Sequence, residues 1–558
     1  MASRPSSWSF AGPSRSLYII LALYLVSFSA VANSLAHPPQ RPLGEPSSTS
    51  ARPVDAFDNS SGDAAFRDPD SQQSPIPPPT STTLQNLLGA LHVMQDKYFV
   101  LWLGAWPTSI DWTAAVLGTH VSAVLSSLTS SARLQNSSLA VLENTVNHFF
   151  SHTSTFYFGE NAFSLRNQAY DDMLWVVLDW LENIKFQDLH SELHYTTPSN
   201  DTPGQPWHGT QFRNPAAHRA RLFYELASVG WDKTLCGGGM IWNPNLIPYK
   251  NAITNELFIS ASIGMYLYFP GDPIDSPFLA YSQTAPAPRN LHNPAHLQAA
   301  MDGYTWLKNS HMTGPGGLYG DGFHISGWQS SSRPKSRKCD VLNTMVYTYN
   351  QGVILSGLRG LWLATWSQAY LEDGHELIEK VLKATGWPQT SSTVWAGLGR
   401  GGVLEEACDS RGDCSQDGQT FKGIFFHHLA EFCRSLRPHE ERFLANNAGN
   451  PPPGQESWNT TYHGHLRRCH AYGSWIEHNA RAALVTRDHD GKFACEQQLA
   501  SLGAADYRNP PDELDASTVN VVPRDSNDRG RGRTVETQSG GVAVLRALHQ
   551  WQTSDVLL

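Results

Sequence analysis

Along most of the chain, apolar residues recur every three to four positions, the spacing that gathers them on one face of an α-helix. The strict alternation that marks strands is scarce. This period predicts helices near residues 83–104, 111–130, 138–151, 168–187, 213–229 and 251–268. Six more follow near 294–311, 347–370, 373–385, 420–436, 474–486 and 536–551. Two stretches break the rhythm. Residues 33–82 are rich in Pro, Ser, Asp and Gln, and 504–534 in Asp, Asn, Arg and Pro, so neither buries enough apolar surface to order itself. The organisation expected is a linker over 33–82 and one helical domain over 83–551 with a flexible insertion near 504–534. Without a solenoid repeat of 34 or 40 residues, twelve helices fit an all-α fold, a double ring of six inner and six outer helices, the (α/α)6 barrel.

The helix starting near 168 is unusual. In "YDDMLWVVLDWLENI" (170–184) it is apolar almost all the way round, which marks an inner helix, yet it opens on Asp171 and Asp172. Three readings compete. Acids in the first turn favour the helix dipole by about 0.3–1 kcal/mol each. A DDxxD magnesium-diphosphate site would need a third carboxylate where Trp175 stands. A glycosidase pair would use one acid as nucleophile and the other as general acid/base, and adjacent helix positions suit the ~5–5.5 Å separation of retaining chemistry.

Charge and composition narrow the partner. The net charge is −10 with no basic block, which argues against nucleic acid. Eighteen tryptophans suit an uncharged polyol as well as a core. Arg4 and Arg15 precede the apolar run 17–32, which ends in Ala30-Val31-Ala32. This reads as a signal peptide over 1–32, short for a membrane span of about 20 residues, with an uncleaved signal anchor as the alternative. A secreted protein is therefore expected, with no stable membrane insertion after signal removal. Sequons at Asn59, Asn136, Asn200 and Asn459 agree with export. Of seven cysteines, Cys408 and Cys414 are the simplest pair to bridge, and the odd number leaves at least one thiol free or paired between chains. No metal or other cofactor is expected: "HGHLRRCH" (463–470) has no second ligand pair at zinc spacing.

Four stretches together resemble glycoside hydrolase family 76, the α-1,6-mannanases: "YDDMLWVVLDWL", "CGGGMIWNPNLIPYKNAITNELFISASIGMYL" (236–267), "YTYNQGVILSGL" (347–358) and "GVLEEACDSRGDCSQDGQTFKGIFFHHL" (402–429). One departure is Val176, where the family often has a second Trp. The resemblance implies an (α/α)6 barrel and retaining endo-hydrolysis of α-1,6-linked mannan, with Asp171 as nucleophile and Asp172 as general acid/base. It equally admits a cell-wall transglycosidase acting on mannose-containing glycans of lipid-anchored glycoproteins. A carbohydrate-binding protein that has lost catalysis is the other class, and the intact Asp pair argues against it. An extracellular or wall-associated location is implied.

The supporting residues expected around a sugar are Trp242 as a stacking platform, Asn243, Asn251 and Asn255 as hydroxyl-orienting amides, and Tyr349, Asn350 and Gln351 as cavity lining. Lys250 would balance the acids. Asp417 and Lys422 match the family's segment and could equally form a surface ion pair. Asn251 is also placed to cap a helix. The triplet Gly237-Gly238-Gly239 is expected to let backbone approach the sugar.

Overall fold

A computed structural model describes residues 80–134, 139–195, 205–274, 291–325, 327–328, 337–412, 414–446, 457–494 and 532–554. All lie in one compact unit, Ile76–Leu558. The signal peptide, the linker, the sequons at Asn59, Asn136 and Asn200, Cys495 and most of the 504–534 insertion lie outside the described residues.

Twelve main helices carry the fold: α1 (Thr80–Tyr98), α2 (Asp111–Leu134), α3 (Leu139–Gly159), α4 (Tyr170–His194), α5 (Arg213–Ser228) and α6 (Ala252–Tyr268), then α7 (Pro294–Asn309), α8 (Thr348–Thr365), α9 (Gln368–Ala384), α10 (Gln416–Cys433), α11 (Gly473–Val485) and α12 (Val535–Ser554). The even-numbered helices close a ring, each packing on the next and α12 returning to α2. The odd-numbered helices pack outside: α3 on α2, α5 on α4, α7 on α6, α9 on α8, and α11 and α1 on α12. This is the (α/α)6 barrel expected from the sequence.

Burial follows the apolar pattern. In α10 every residue except Asp417 is buried, and α6 is buried throughout except at Tyr266 and Tyr268. Outer helix α9 buries only Leu371, Gly374, His375, Leu377, Ile378, Val381 and Ala384, one stripe at helical spacing. Each inner helix is preceded by an outer helix, so inner and outer helices alternate along the chain and the six inner helices point the same way. Their first turns meet at one end: Thr113 of α2 donates to Glu536 of α12 (2.8 Å), and Gln416 of α10 donates to the same carboxylate (2.9 Å). This end is the mouth of the barrel.

Two differences from the sequence reading are physical. Residues 416–419 (QDGQ) look like loop but begin α10, because Ser415 caps the helix by accepting from the Gly418 amide. A helix over Trp458–His470 was not expected. Its inward positions are Thr461, Tyr462, His465 and Cys469, helical in spacing but not aliphatic, so no hydrophobic period shows. The Cys433–Cys469 disulfide ties it to α10; Cys408–Cys414 forms as expected, and Cys236–Cys339 is the third bridge. Asn459 lies exposed on that helix.

The mouth carries a small antiparallel sheet, β1 (Tyr249–Asn251), β2 (Gly322–His324) and β3 (Val341–Asn343), with Tyr249 opposite His324 and Gly322 opposite Asn343. Strands of three residues are too short to leave a sequence period. Gly322 is required there, since a Cβ would sit 2.6 Å from the Asn251 Cα.

Candidate active site

Asp171 and Asp172 occupy the first turn of α4 at the mouth, both half-buried. The indole N–H of Trp242 donates to Asp171 Oδ2 (3.1 Å), while Asp171 Oδ1 is buried without a protein partner. Asp172 Oδ2 turns back to accept from the Ala169 amide (3.3 Å). Burial pushes the Asp171 carboxyl up to about 7; the helix-start amides and the Trp242 N–H oppose the shift, and the charge of Asp321 adds to it. Asp172 is driven well above the carboxylate range, first by burial and then by the charge of Asp171 beside it, with Asp417 and Asp111 adding. Two neighbouring carboxyls whose charges oppose one another do not easily ionise together. The one held by an indole donor keeps the charge more easily, and the other keeps the proton.

Further side chains converge on the pair from neighbouring inner helices. Trp112 of α2 donates to Asp417 Oδ1 (2.9 Å) and stacks on Trp175 of α4 at 5.5 Å. Tyr349 of α8 stacks on Phe421 of α10 at 3.9 Å, and the charges of Asp321 and Asp171 help raise its phenol well above the usual range after burial has done most of it. Asn350 is fully buried with neither amide atom partnered by protein, a costly state for a group with no further use. Of the residues expected around a sugar, Trp242 thus bonds to Asp171, Asp417 lies in the first turn of α10, and Tyr349 and Asn350 lie in the first turn of α8.

The remaining candidates do other work. Lys250 does not balance the acids. It is 0 % exposed, and its ammonium donates to the carbonyls of Asp232 (2.8 Å), Leu235 (3.0 Å), Gly239 (2.8 Å) and Gly238. Burial pulls its pKa down to about 8, against the opposing charge of Asp232. Asn255 pairs with the Met240 backbone, accepting from N at 2.7 Å and donating to O at 3.3 Å, and also donates to the Asn251 carbonyl. Gln351 clamps Tyr319 through both its N–H and its C=O. Asn243 spends its carbonyl on the Asn245 amide in a tight turn. Asn251 sits at the N-cap of α6 but makes no side-chain cap, and its Oδ1 is buried and unpaired. Lys422 is buried and pairs with Asp409 at 2.6 Å, so it is not a surface residue. Within the glycine triplet, a Cβ at Gly239 would sit 2.6 Å from the Trp306 ring, at φ +86°, whereas one at Gly237 would meet open space. Val176 is fully buried, so the departure from the family's second Trp falls in the core.

Several residues of the mouth were not anticipated. Asp321 accepts from Tyr249 Oη (2.6 Å) and Asn343 Nδ2 (3.0 Å), and burial raises its pKa. Asp111 accepts from Ser164 (2.6 Å) and Gln168 (3.1 Å). Glu256 on α6 is fully buried, has no partner on either oxygen, and is pushed far up by burial alone. The signal for Asp321 was Gly320-Asp321-Gly322, a turn sequence with an acid between two glycines; nothing local linked it to residue 171.

Residues 280–498 match the model of glycosyl hydrolase family 76. The chain is similar to that family over this region, which is less than half of its length. Two of the four resembling stretches, 347–358 and 402–429, lie inside the matched region; the Asp171-Asp172 stretch precedes it. The mannan endo-1,6-alpha-mannosidase DCW1 of Candida glabrata is 24% identical over 312 residues, 52% of this chain and 55% of the relative. The mannan endo-1,6-alpha-mannosidase DFG5 of Saccharomyces cerevisiae is 24% identical over 247 residues, 43% of this chain and 42% of the relative. The chain therefore spans about half the length of the curated relatives it matches. Among solved structures, an inactive variant of the α-1,6-mannanase GH76A of Salegentibacter sp. HEL1_6, bound to α-1,6-mannotriose, aligns with TM-score 0.48 and 17% identity over 85% of this chain and 99% of that one. Dfg5 from Chaetomium thermophilum, bound to glucosamine, aligns with TM-score 0.47 and 15% identity over 85% of this chain and 90% of that one.

Proposed function

We propose that this chain is a retaining endo-α-1,6-mannosidase acting on mannan, with Asp171 as nucleophile and Asp172 as general acid/base. The observation that carries the reading is the unequal pair at the mouth: two adjacent carboxyls with pKa values raised by burial, the one bonded to an indole N–H ionising before the other. The Asp171 carboxylate attacks the anomeric carbon as the glycosidic C–O bond breaks, and Asp172 gives its proton to the departing oxygen. Asp172, now ionised, takes a proton from water, which attacks the same carbon and frees Asp171. Trp242 holds the charged oxygen of Asp171 through its N–H, a positioning role beyond the stacking expected from sequence. Tyr349, Asn350 and Asp417 are the side chains assigned to substrate hydroxyls. The names of the curated relatives support the substrate class.

An extracellular location accords with three disulfides, which persist in oxidising compartments. Among the described residues, no helix is long and apolar enough to cross a membrane. The test is incubation with linear α-1,6-mannan followed by proton NMR. The first-formed reducing ends are expected as the α-anomer; an initial β-anomer, or no cleavage by a folded protein, overturns the reading.

A further inference from the structure

The connection between α5 and α6 has two limbs. Its second limb brings Trp242 to Asp171. Its first limb, residues 229–240, borders a separate open cavity of about 470 Å3 on the flank of the barrel. One wall is Trp231, Lys233 and the backbone of Cys236 to Gly238; the other is the last turns of α7, with Asp302, Thr305, Trp306 and Asn309.

This wall is built rigidly. The Lys250 ammonium gathers four carbonyls from the loop, and the Cys236–Cys339 disulfide fastens its middle. Trp306 lies against the glycines on one side and spends its N–H on the Cys236 carbonyl (3.1 Å), so the indole is held in place while half-exposed. Trp231 is braced in the same way by Phe258, stacked at 5.5 Å. Two fixed, part-exposed indoles are apolar platforms with little rotamer entropy left to lose. Around them the exposed side chains are short and neutral, Thr305 and Asn309, or one of each sign, Lys233 and Asp302. A cavity with aromatic platforms, hydroxyl and amide groups and no net charge suits an uncharged polyol. It does not suit an anion, which would want the positive charge unopposed, nor a lipid, which would want an apolar rim.

We infer that this flank cavity is a secondary glycan-binding site, which takes sugar residues of the polymer distant from the bond being cleaved. The inference rests on the mannan reading for the identity of the sugar. The continuity of one connection from flank to Asp171 means that a long chain held at Trp306 is held close to the mouth, raising its effective concentration there. A short oligosaccharide fills the mouth alone and gains nothing.

The test compares polymer with oligomer. Trp306→Ala removes a platform, and Asn309→Arg fills the cavity from an exposed position without touching the loop. Both variants are expected to raise KM for linear α-1,6-mannan about fivefold or more, with kcat unchanged. Kinetics on α-1,6-mannotetraose should stay as in the wild type. In parallel, the full chain carrying Asp171→Asn should be retarded in native gels containing linear mannan, and the retardation should fall when Asn309→Arg is added. The proposal is overturned if Asn309→Arg alters neither polymer KM nor retardation, or if polymer and tetraose kinetics change together. If the wild type cleaves no mannan but its retardation still depends on Asn309, the flank site stands and the hydrolase reading fails.

Discussion

At the mouth of the barrel, where the inner helices begin, stand Asp111, Asp171, Asp172, Asp417 and Glu536; towards the other end, where they finish, stand Lys185, Arg359, Arg434, Arg437 and Arg546. The aligned dipoles of six parallel helices favour the acids, all of which lie in first turns. The two ends differ in what answers the charge. At the far end carboxylates meet cations directly: Arg434 to Glu440 at 2.8 Å, Arg546 to Glu431 at 2.5 Å, Arg437 to Glu182 at 3.3 Å. Burial works against ionising Glu431 and Glu440, yet the surrounding cations hold both well below the carboxylate range. At the mouth the donors are neutral: Trp242 to Asp171, Trp112 to Asp417, Tyr249 and Asn343 to Asp321, Ser164 and Gln168 to Asp111. There burial wins and the carboxyls of Asp171, Asp172 and Asp321 rise. The lesson is that a compensated charge builds structure, while an uncompensated one stays available for chemistry.

The contrast is broken most directly at the catalytic pair. Asp171→Asn and Asp172→Asn should each lower turnover on α-1,6-mannan by roughly 10³-fold or more, with the fold intact by circular dichroism. Stability should move the other way. A raised folded-state pKa means the fold prefers the protonated form, so the carboxylate costs stability as pH rises from the unfolded value near 4. Asp172→Asn should therefore melt above the wild type at pH 7 and close to it at pH 4. A variant that is both active and less stable at pH 7 would remove the distinction between the two ends.

At the far end the expectation reverses. Glu440→Gln leaves Arg434 and Arg359 facing a neutral group, at a cost of about 3–5 kcal/mol in urea unfolding. Activity per folded molecule should be unchanged. Destabilisation under about 1 kcal/mol, the range of surface pairs, would show that this network is solvated rather than buried.

Smaller changes sharpen the picture at the mouth. Trp242→Phe keeps an aromatic face but deletes the N–H to Asp171. A hydrogen bond to a charged group contributes about 1.5–3 kcal/mol, so kcat should fall by roughly tenfold or more with KM little altered. Losing the donor also disfavours the ionised form, so the acid limb of the pH–rate profile should move up. Asp321→Asn should shift that limb the opposite way, because removing a neighbouring negative charge lets Asp171 ionise at lower pH. A limb unmoved by either substitution would mean that Asp171 is not the group titrating there.

Periodicity in the sequence was enough for the twelve helices, since each must bury an apolar face and no neighbour is needed to see its spacing. The inner nature of α4 was legible as well, because apolar residues surround it, but that of α10 was not, because buried His427, His428, Glu431 and Lys422 disguise the face. The helix at 458–470 escaped for the same reason. Asp171 and Asp172 were visible because their adjacency is itself unusual ahead of an apolar run. Trp242, Tyr349, Asn350 and Asp417 could be placed near them only through the resemblance.

Tertiary structure alone decided which polar residues face the mouth. Lys250, Asn255 and Gln351 are the residue types a sugar site uses, and they look identical in sequence to side chains that do so. In the fold they are consumed by backbone carbonyls and amides of the 231–240 and 319 segments. Asp321 and Trp112 join the site from 150 residues downstream and 59 upstream of Asp171, through a three-residue strand and a ring of packed helices. Helix spacing is a local property, written in the order of residues. The partner of a hydrogen-bonding group is set by which elements the closed barrel brings together, and so by contacts that no stretch of sequence contains.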